Sequence, residues 1–168
     1  MNRPYRVLFI SRRNSARSLM AETIVNRHGK GKFTASSAGI EPSQEADAVA
    51  LSVLEQAGYS TTDLRPKHWR EFAGSEAPTL DFVFTLSATA SAEDFPEWPG
   101  KPVSAQWLYD DPLAISGDDW QRRRAYMKLL ASIERQMRIF MQLPLASLDN
   151  LALRTSLHEL AKHQGENV

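Results

Sequence analysis

Apolar positions along this chain fall into two alternating patterns. Short continuous runs recur at Tyr5 to Ile10, Phe33 to Ala38 and Asp81 to Leu86, with a shorter one near Val103 to Trp107. Runs of this length, bounded by turn residues, predict strands buried on both faces. Between them the apolar residues take helical spacing. Leu19, Met20 and Ile24 do so within 17–28, which Gly29 stops; Val49, Val53 and Leu54 do so within 44–57, which Gly58 stops. The longest helix is predicted from Asp119 to Leu143, with Leu130, Ile133, Met137 and Phe140 as its buried stripe. Asp118 and Gln121 form a capping-box pattern at its start, and Pro144 limits its end. A short helix is expected over Lys67 to Phe72, at most one helical turn between the third and fourth strands, and a last helix over Leu148 to His163.

Strands alternating with helices predict a parallel sheet with right-handed crossovers. The expected fold class is α/β: a three-layer sandwich, with a four-stranded parallel sheet carrying helices on both faces. Residues 1–168 are expected to form one domain. Ligands of such sheets bind beyond the carboxyl ends of the strands, which here means the loop after the first strand.

That loop lies in "VLFISRRNSARSLMAE", residues 7–22. A strand, a tight polar loop and a helix start follow one another directly. The helix beginning near Arg17 offers unpaired N–H groups and the positive end of its dipole. Successive loop amides from Arg12 through Arg13, Asn14, Ser15 and Ala16 to Arg17 form a nest for an oxyanion. The Arg17 fork holds two oxygens at once. Asn14 suits a left-handed backbone position and braces the loop, and Ser15 and Ser18 add hydrogen bonds. The competing reading is an ordinary strand-to-helix turn whose Ser and Asn residues only cap the helix.

Composition narrows the partners. Twenty basic and 20 acidic side chains give a formal net charge of zero. No broad field holds nucleic acid or an anionic membrane, so an anion site must be local, and neither partner is expected. Arg122, Arg123 and Arg124 are read as a solvated helix face, and the four tryptophans, Trp69, Trp98, Trp107 and Trp120, as packing residues, with Trp98 or Trp107 near the rim of the site. The chain has no cysteine, which excludes disulfides, zinc–thiolate sites and thiol redox chemistry. No metal or cofactor is expected. The opening "MNRPYRVLFI" is too short an apolar run for a signal peptide, and no run approaches the roughly 18 apolar residues of a membrane span; a cytoplasmic location is expected. The tail "SLDNLALRTSLHELAKH" is expected either to cover the core or to form a homodimer contact.

"VLFISRRNSARSLMAE" resembles the signature of the low-molecular-weight protein tyrosine phosphatase and thioredoxin-coupled arsenate reductase superfamily: a strand, then Cys, five residues, Arg and Ser. The likeness continues through "SSAG" at 36–39, "DFVFTL" at 81–86, "WPGKP" at 98–102, "DDP" at 110–112 and "LPLASLDNLALR" at 143–154, and these segments look like the bacterial arsenate-reductase-type branch. The resemblance implies phosphate, arsenate or a phosphorylated ligand as the partner. It also implies Arg17 as the anion-binding arginine and Asp111 as the general acid that protonates the leaving oxygen. Read without it, Asp111 and Pro112 are a common turn dipeptide.

Three departures stand out. Ser11 occupies the place of the nucleophilic cysteine. A thiol near pKa ~8.5 drops further beside an arginine and a helix N-terminus, whereas a serine hydroxyl needs an adjacent base. None of His28, His68, His158 or His163 lies beside the loop in sequence. Ser11 is therefore expected to keep anion binding and to lose most covalent turnover, and it removes the repulsion between a thiolate and a phosphate dianion. Ser87 and Phe95 fall where the reductases have a redox cysteine pair. Arg13 stands where the family often has glycine, so it either distorts the loop or adds charge at its rim, unless it and Arg12 simply point to solvent. The expected function is a family member that binds oxyanions with catalysis lost or strongly impaired. The alternatives are a non-catalytic oxyanion sensor or phospho-partner binder, and an active phosphatase in which Ser11 replaced a native cysteine by design.

Overall fold

The computed structural model describes residues 3–112 and 117–163. Strands β1 (Tyr5–Ser11), β2 (Phe33–Gly39), β3 (Phe82–Thr85) and β4 (Val103–Gln106) form one parallel sheet in the order β2-β1-β3-β4. The helices are α1 (Arg17–His28), α2 (Ala48–Gln56), α3 (Ala88–Ala92), α4 (Asp119–Gln142) and α5 (Asn150–His163), with 3₁₀ turns at Trp69–Phe72 and Leu145–Ser147. β1 is paired on both sides, Ser11 with Gly39 and Ile10 with Thr85. The chain leaves β1 for β2 on one side and later returns to β3 on the other, so the switch point of the sheet lies at the end of β1.

The continuous apolar run of β1 reflects its central position. Val7 and Phe9 join Phe82, Phe84 and the buried residues of α1, α2, α4 and α5 in the main core. Leu8 and Ile10 face the other way, against Val83, Trp69 and Ala90. Both faces are covered, as predicted, but unequally. Among the described residues the second face is covered by the Trp69 turn, the short α3, Ile40, Leu80 and the aromatic group of Trp69, Phe95 and Trp98. In the main core Trp107 stacks on Phe84 at 3.9 Å, and Phe140 meets both edge-on.

Four expectations are corrected. α2 begins at Ala48, not near residue 44, because the Asp47 side chain accepts from Val49 N and Ala50 N and so caps the helix there. Trp107 lines no rim; it is fully buried and its Nε1 donates to Leu157 O at 3.0 Å. Trp120 is not a packing residue but is 66% exposed, beneath the Arg124 guanidinium. Arg122 and Arg123 leave the solvated face and are half-buried, with Arg123 Nη1 on Ser52 Oγ at 3.1 Å. The capping box of Asp118 and Gln121 is present in both directions. No helix among the described residues is long and apolar enough to cross a membrane.

Candidate functional site

The loop between β1 and α1 is held from outside by its own carbonyls. Arg12 O accepts from Ile40 N and Glu41 N at 2.9 and 2.8 Å, Arg13 O from Ser43 N at 3.0 Å, and Ser15 O from Asp47 N at 2.9 Å. A trans peptide unit points its N–H opposite to its C=O. The N–H groups of Arg13, Asn14 and Ala16 are thereby turned away from the 40–47 segment and into the loop. This also explains why residues 40–47 are not helix: they supply the donors that fix the loop. Gly39 lets β2 approach it closely. A Cβ there would stand 3.0 Å from Arg13 C and Asn14 N, both backbone atoms.

The helix start is not capped by the neighbouring polar side chains. Its N-cap is Ala16, with no side-chain cap and no acidic residue in the first turn. The reading in which Ser and Asn merely cap α1 therefore fails. Asn14 takes a left-handed φ of 51° and turns its side chain inward. Its Nδ2 donates to Ser18 Oγ at 2.7 Å and to Ser37 Oγ at 2.9 Å, and its Oδ1 accepts from Lys67 N at 3.0 Å. Ser18 Oγ lies 2.7 Å from Ser11 Oγ. Ser15 is buried as well. Arg13 is exposed and has no positive φ, so it replaces glycine without backbone strain; Arg12 is half-buried with a buried Nε that has no partner.

Behind the loop lies a charged pair that the sequence did not announce. Ser37 Oγ donates to Glu22 Oε1 at 2.6 Å, and Lys67 Nζ donates to Ser37 O and Arg65 O. Burial raises the Glu22 pKa, partly offset by Ser37 and Lys67, and lowers that of Lys67, partly offset by Glu22. Glu22 is no base for Ser11. Both bonds from the Asn14 amide to Ser18 and Ser37 are donated by Nδ2, and an amide nitrogen of this kind passes no proton along. Three of the histidines supply no base either. His68 Nδ1 accepts from Arg70 N, His28 Nε2 pairs with Tyr59 Oη at 3.1 Å, and His158 is exposed.

Arg17 opens α1 with only 8% of its surface exposed. Nη1 donates to Tyr109 O at 3.0 Å, and Nη2 is 3.7 Å from Asp111 Oδ2. Burial lowers its pKa, with Asp111 opposing. A buried guanidinium facing a carboxylate at that distance is incompletely neutralised. Asp111 is thus brought to Arg17, while Asp110 is exposed. Tyr126 of α4 also converges here. It is fully buried, and burial together with the neighbouring Asp47 carboxylate raises the pKa of its hydroxyl. Ser37, Lys67 and Tyr126 were missed because each comes from a distant part of the chain, and Glu22, although on α1, because its partner Ser37 does. The positions expected to match the redox pair are otherwise employed. Ser87 Oγ caps α3 by accepting from Ala90 N at 3.1 Å, and Phe95 packs on Trp69 and Trp98 with centroids 5.3 and 5.2 Å away.

A parallel sheet whose switch point carries a carbonyl-tethered loop running into an uncapped helix defines an α/β protein of the small-phosphatase kind. The chain belongs to the low molecular weight phosphotyrosine protein phosphatase family, which it matches over residues 6–150. It is 29% identical over 123 residues to the glutaredoxin arsenate reductase of Synechocystis sp. (strain ATCC 27184 / PCC 6803 / Kazusa), covering 73% of this chain and 90% of that protein. The arsenate reductase of Archaeoglobus fulgidus is 27% identical with a TM-score of 0.64, covering 82% of this chain and 99% of that one. An arsenate reductase in its phosphate binding state shares the fold, with a TM-score of 0.65 at 22% identity over 82% of this chain and 96% of that one.

Proposed function

We propose that the chain binds phosphate-like oxyanions in the loop from Ser11 to Arg17 and has lost the covalent chemistry of its relatives. The observation that carries this is the arrangement of the peptide units: carbonyls of Arg12, Arg13 and Ser15 engaged outward, amides inward, and α1 uncapped beside a buried, under-neutralised Arg17. In this reading the loop amides and Arg17 hold the anion, Asn14 and Ser18 brace the loop, and Asp111 is the former acid. Ser11 stands at the nucleophile position. Asn14 donates to Ser18, whose hydroxyl shares a hydrogen bond with Ser11 Oγ; when Ser18 is its donor, the Ser11 hydrogen is left for a bound oxygen. With no base in reach among the described residues, the hydroxyl donates to the anion instead of attacking it. The phosphate named for the structurally similar reductase agrees with the ligand class. The absence of any thiol removes disulfide-coupled reduction from the chemistry open to this chain.

Thermal unfolding with inorganic phosphate, arsenate and sulfate tests the reading. A ligand at a hundred times its Kd stabilises the native state by about 2.7 kcal/mol, so Tm is expected to rise with phosphate for the protein and less for Arg17→Lys, whose point charge lacks the bidentate fork. A Tm indifferent to phosphate, arsenate and sulfate alike overturns it.

A further inference from the structure

The loop from Ser11 to Arg17 reads Ser-Arg-Arg-Asn-Ser-Ala-Arg, three guanidiniums and no carboxylate in a chain whose formal net charge is zero. A single phosphate on Arg17 leaves the other two without a role. Arg17 is buried and fixed from two sides, by Tyr109 O at 3.0 Å and by Asp111 at 3.7 Å. Arg12 is fixed only through its backbone, where its carbonyl accepts from Ile40 N and Glu41 N. The residue is half-buried, and its Nε is shut off from water with no acceptor. Among the described residues no carboxylate forms an ion pair with Arg12 or with exposed Arg13, and Glu41 and Asp110, exposed acids of the adjoining segments, pair with neither. Arg12 lies near enough to Arg17 instead to lower its pKa, a meeting of like charges.

Like charges held close cost stability, and buried polar atoms are satisfied in the large majority of native cases. A ligand with more negative charge than one phosphate relieves both defects at once. We propose that the loop takes a phosphoryl group bearing a second phosphoryl group beside it, the chemistry of a diphosphate, and that Arg12 holds the second group while Arg17 and the loop amides hold the first. The inference rests on the oxyanion reading above and names the ligand class of that site. Burial of the three guanidiniums is graded to suit it: Arg17 is 8% exposed, Arg12 half-buried and Arg13 exposed, so positive charge runs from the floor of the loop to its rim. A phosphoryl group on Arg17 fills the floor, and one joined to it extends along that gradient. The planar fork of Arg12 can take two of its oxygens, and Arg13 adds field at the rim.

Calorimetric titration with inorganic phosphate and with pyrophosphate, on the protein and on Arg12→Gln, tests this. The protein is expected to bind pyrophosphate the more tightly. Arg12→Gln should weaken pyrophosphate about tenfold or more, the loss expected for a hydrogen bond between charged groups, and phosphate much less. Its Tm without ligand should be unchanged or higher, since no partner is lost. Repeating the titrations at about 1 M salt, where the Debye length is about 3 Å, separates a held group from a diffuse field: the effect on pyrophosphate persists when the guanidinium grips the second phosphoryl group. Equal affinity of the protein for the two anions overturns the inference and leaves the oxyanion reading standing. So does an Arg12→Gln effect equal for both anions, or one that vanishes at high salt. A drop of several degrees in Tm without ligand also overturns it, because the side chain then has a partner in the empty protein. Failure of the unmodified protein to bind either anion removes the oxyanion reading itself, and the inference with it.

Discussion

Replacing Ser11 with cysteine asks whether the loop still makes the field that a thiolate needs. A free thiol with pKa about 8.5 is only about 3% ionised at pH 7. At position 11 it would sit at the end of β1, facing the N-terminus of α1, near buried Arg17 and within reach of the Ser18 hydroxyl, which now lies 2.7 Å from Ser11 Oγ. Helix N-termini and cationic neighbours lower thiol pKa values to about 3.5–7.5. A fall to about 6, a shift equivalent to about 3.4 kcal/mol of differential stabilisation, makes the group roughly 90% thiolate at pH 7, a thirtyfold gain from ionisation alone. Attack by a species that serine does not form adds much more. Removing a nucleophile from an otherwise intact site costs on the order of 10⁶-fold in kcat, so restoring one should raise aryl-phosphate hydrolysis by at least about 10³-fold. The assay is p-nitrophenyl phosphate turnover by both proteins, with thiolate absorbance followed against pH. A folded Ser11→Cys protein that binds phosphate but titrates near 8.5 refutes the claim that the loop concentrates positive potential at position 11. A low thiol pKa without turnover refutes the placement of Asp111 as an acid in reach of the leaving oxygen.

Asn14→Ala deletes three hydrogen bonds, to Ser18, Ser37 and Lys67 N, and leaves alanine at a φ of 51°. A loss of about 3–5 kcal/mol is expected in urea unfolding, and a loss below about 1 kcal/mol would contradict the bracing role. Glu22→Gln keeps an acceptor for Ser37 but removes a charge that burial disfavours. Because burial raises the folded pKa of Glu22 above 4.5, its charged form destabilises the native state above that raised pKa, and the penalty vanishes below 4.5. The variant should therefore be the more stable protein at neutral pH, with an advantage that shrinks as the pH is lowered, measured by unfolding at a series of pH values.

The fold was legible because its signals are local. β1 and β3 read as strands from uninterrupted apolar runs, and the capping box and apolar stripe of α4 lie in adjacent turns. Ser11, Asn14, Arg17 and Ser18 were readable for the same reason, since strand, loop and helix start are contiguous. The rest of the site is built across the chain: Lys67 on Asn14, Ser37 on Glu22, Tyr109 on Arg17. No periodicity records such contacts. One signal was present and overlooked. Arg122 and Arg123 precede Tyr126 by one helical turn and continue the line through Leu130 and Ile133, so they extend the buried stripe as half-buried residues. Three adjacent arginines drew attention to charge when spacing was the better guide.

The positions that depart from the reductase pattern bear on how the chain came to lack thiols. An isolated exchange of cysteine for serine in an otherwise reductase-like protein would leave the redox segment shaped for its sulfur atoms. Here Ser87 is the cap of α3, and Phe95 completes an aromatic group with Trp69 and Trp98 that covers the thinly layered face of the sheet. Phe95 therefore has a packing role that a cysteine, with far less area, would not fill. Ser11 likewise has a partner in Ser18, and through it joins the bracing network of Asn14. The substituted positions are integrated into capping, packing and hydrogen bonding at once. That is the pattern of a fold adjusted to a thiol-free sequence, in keeping with the oxyanion-binding role proposed for it.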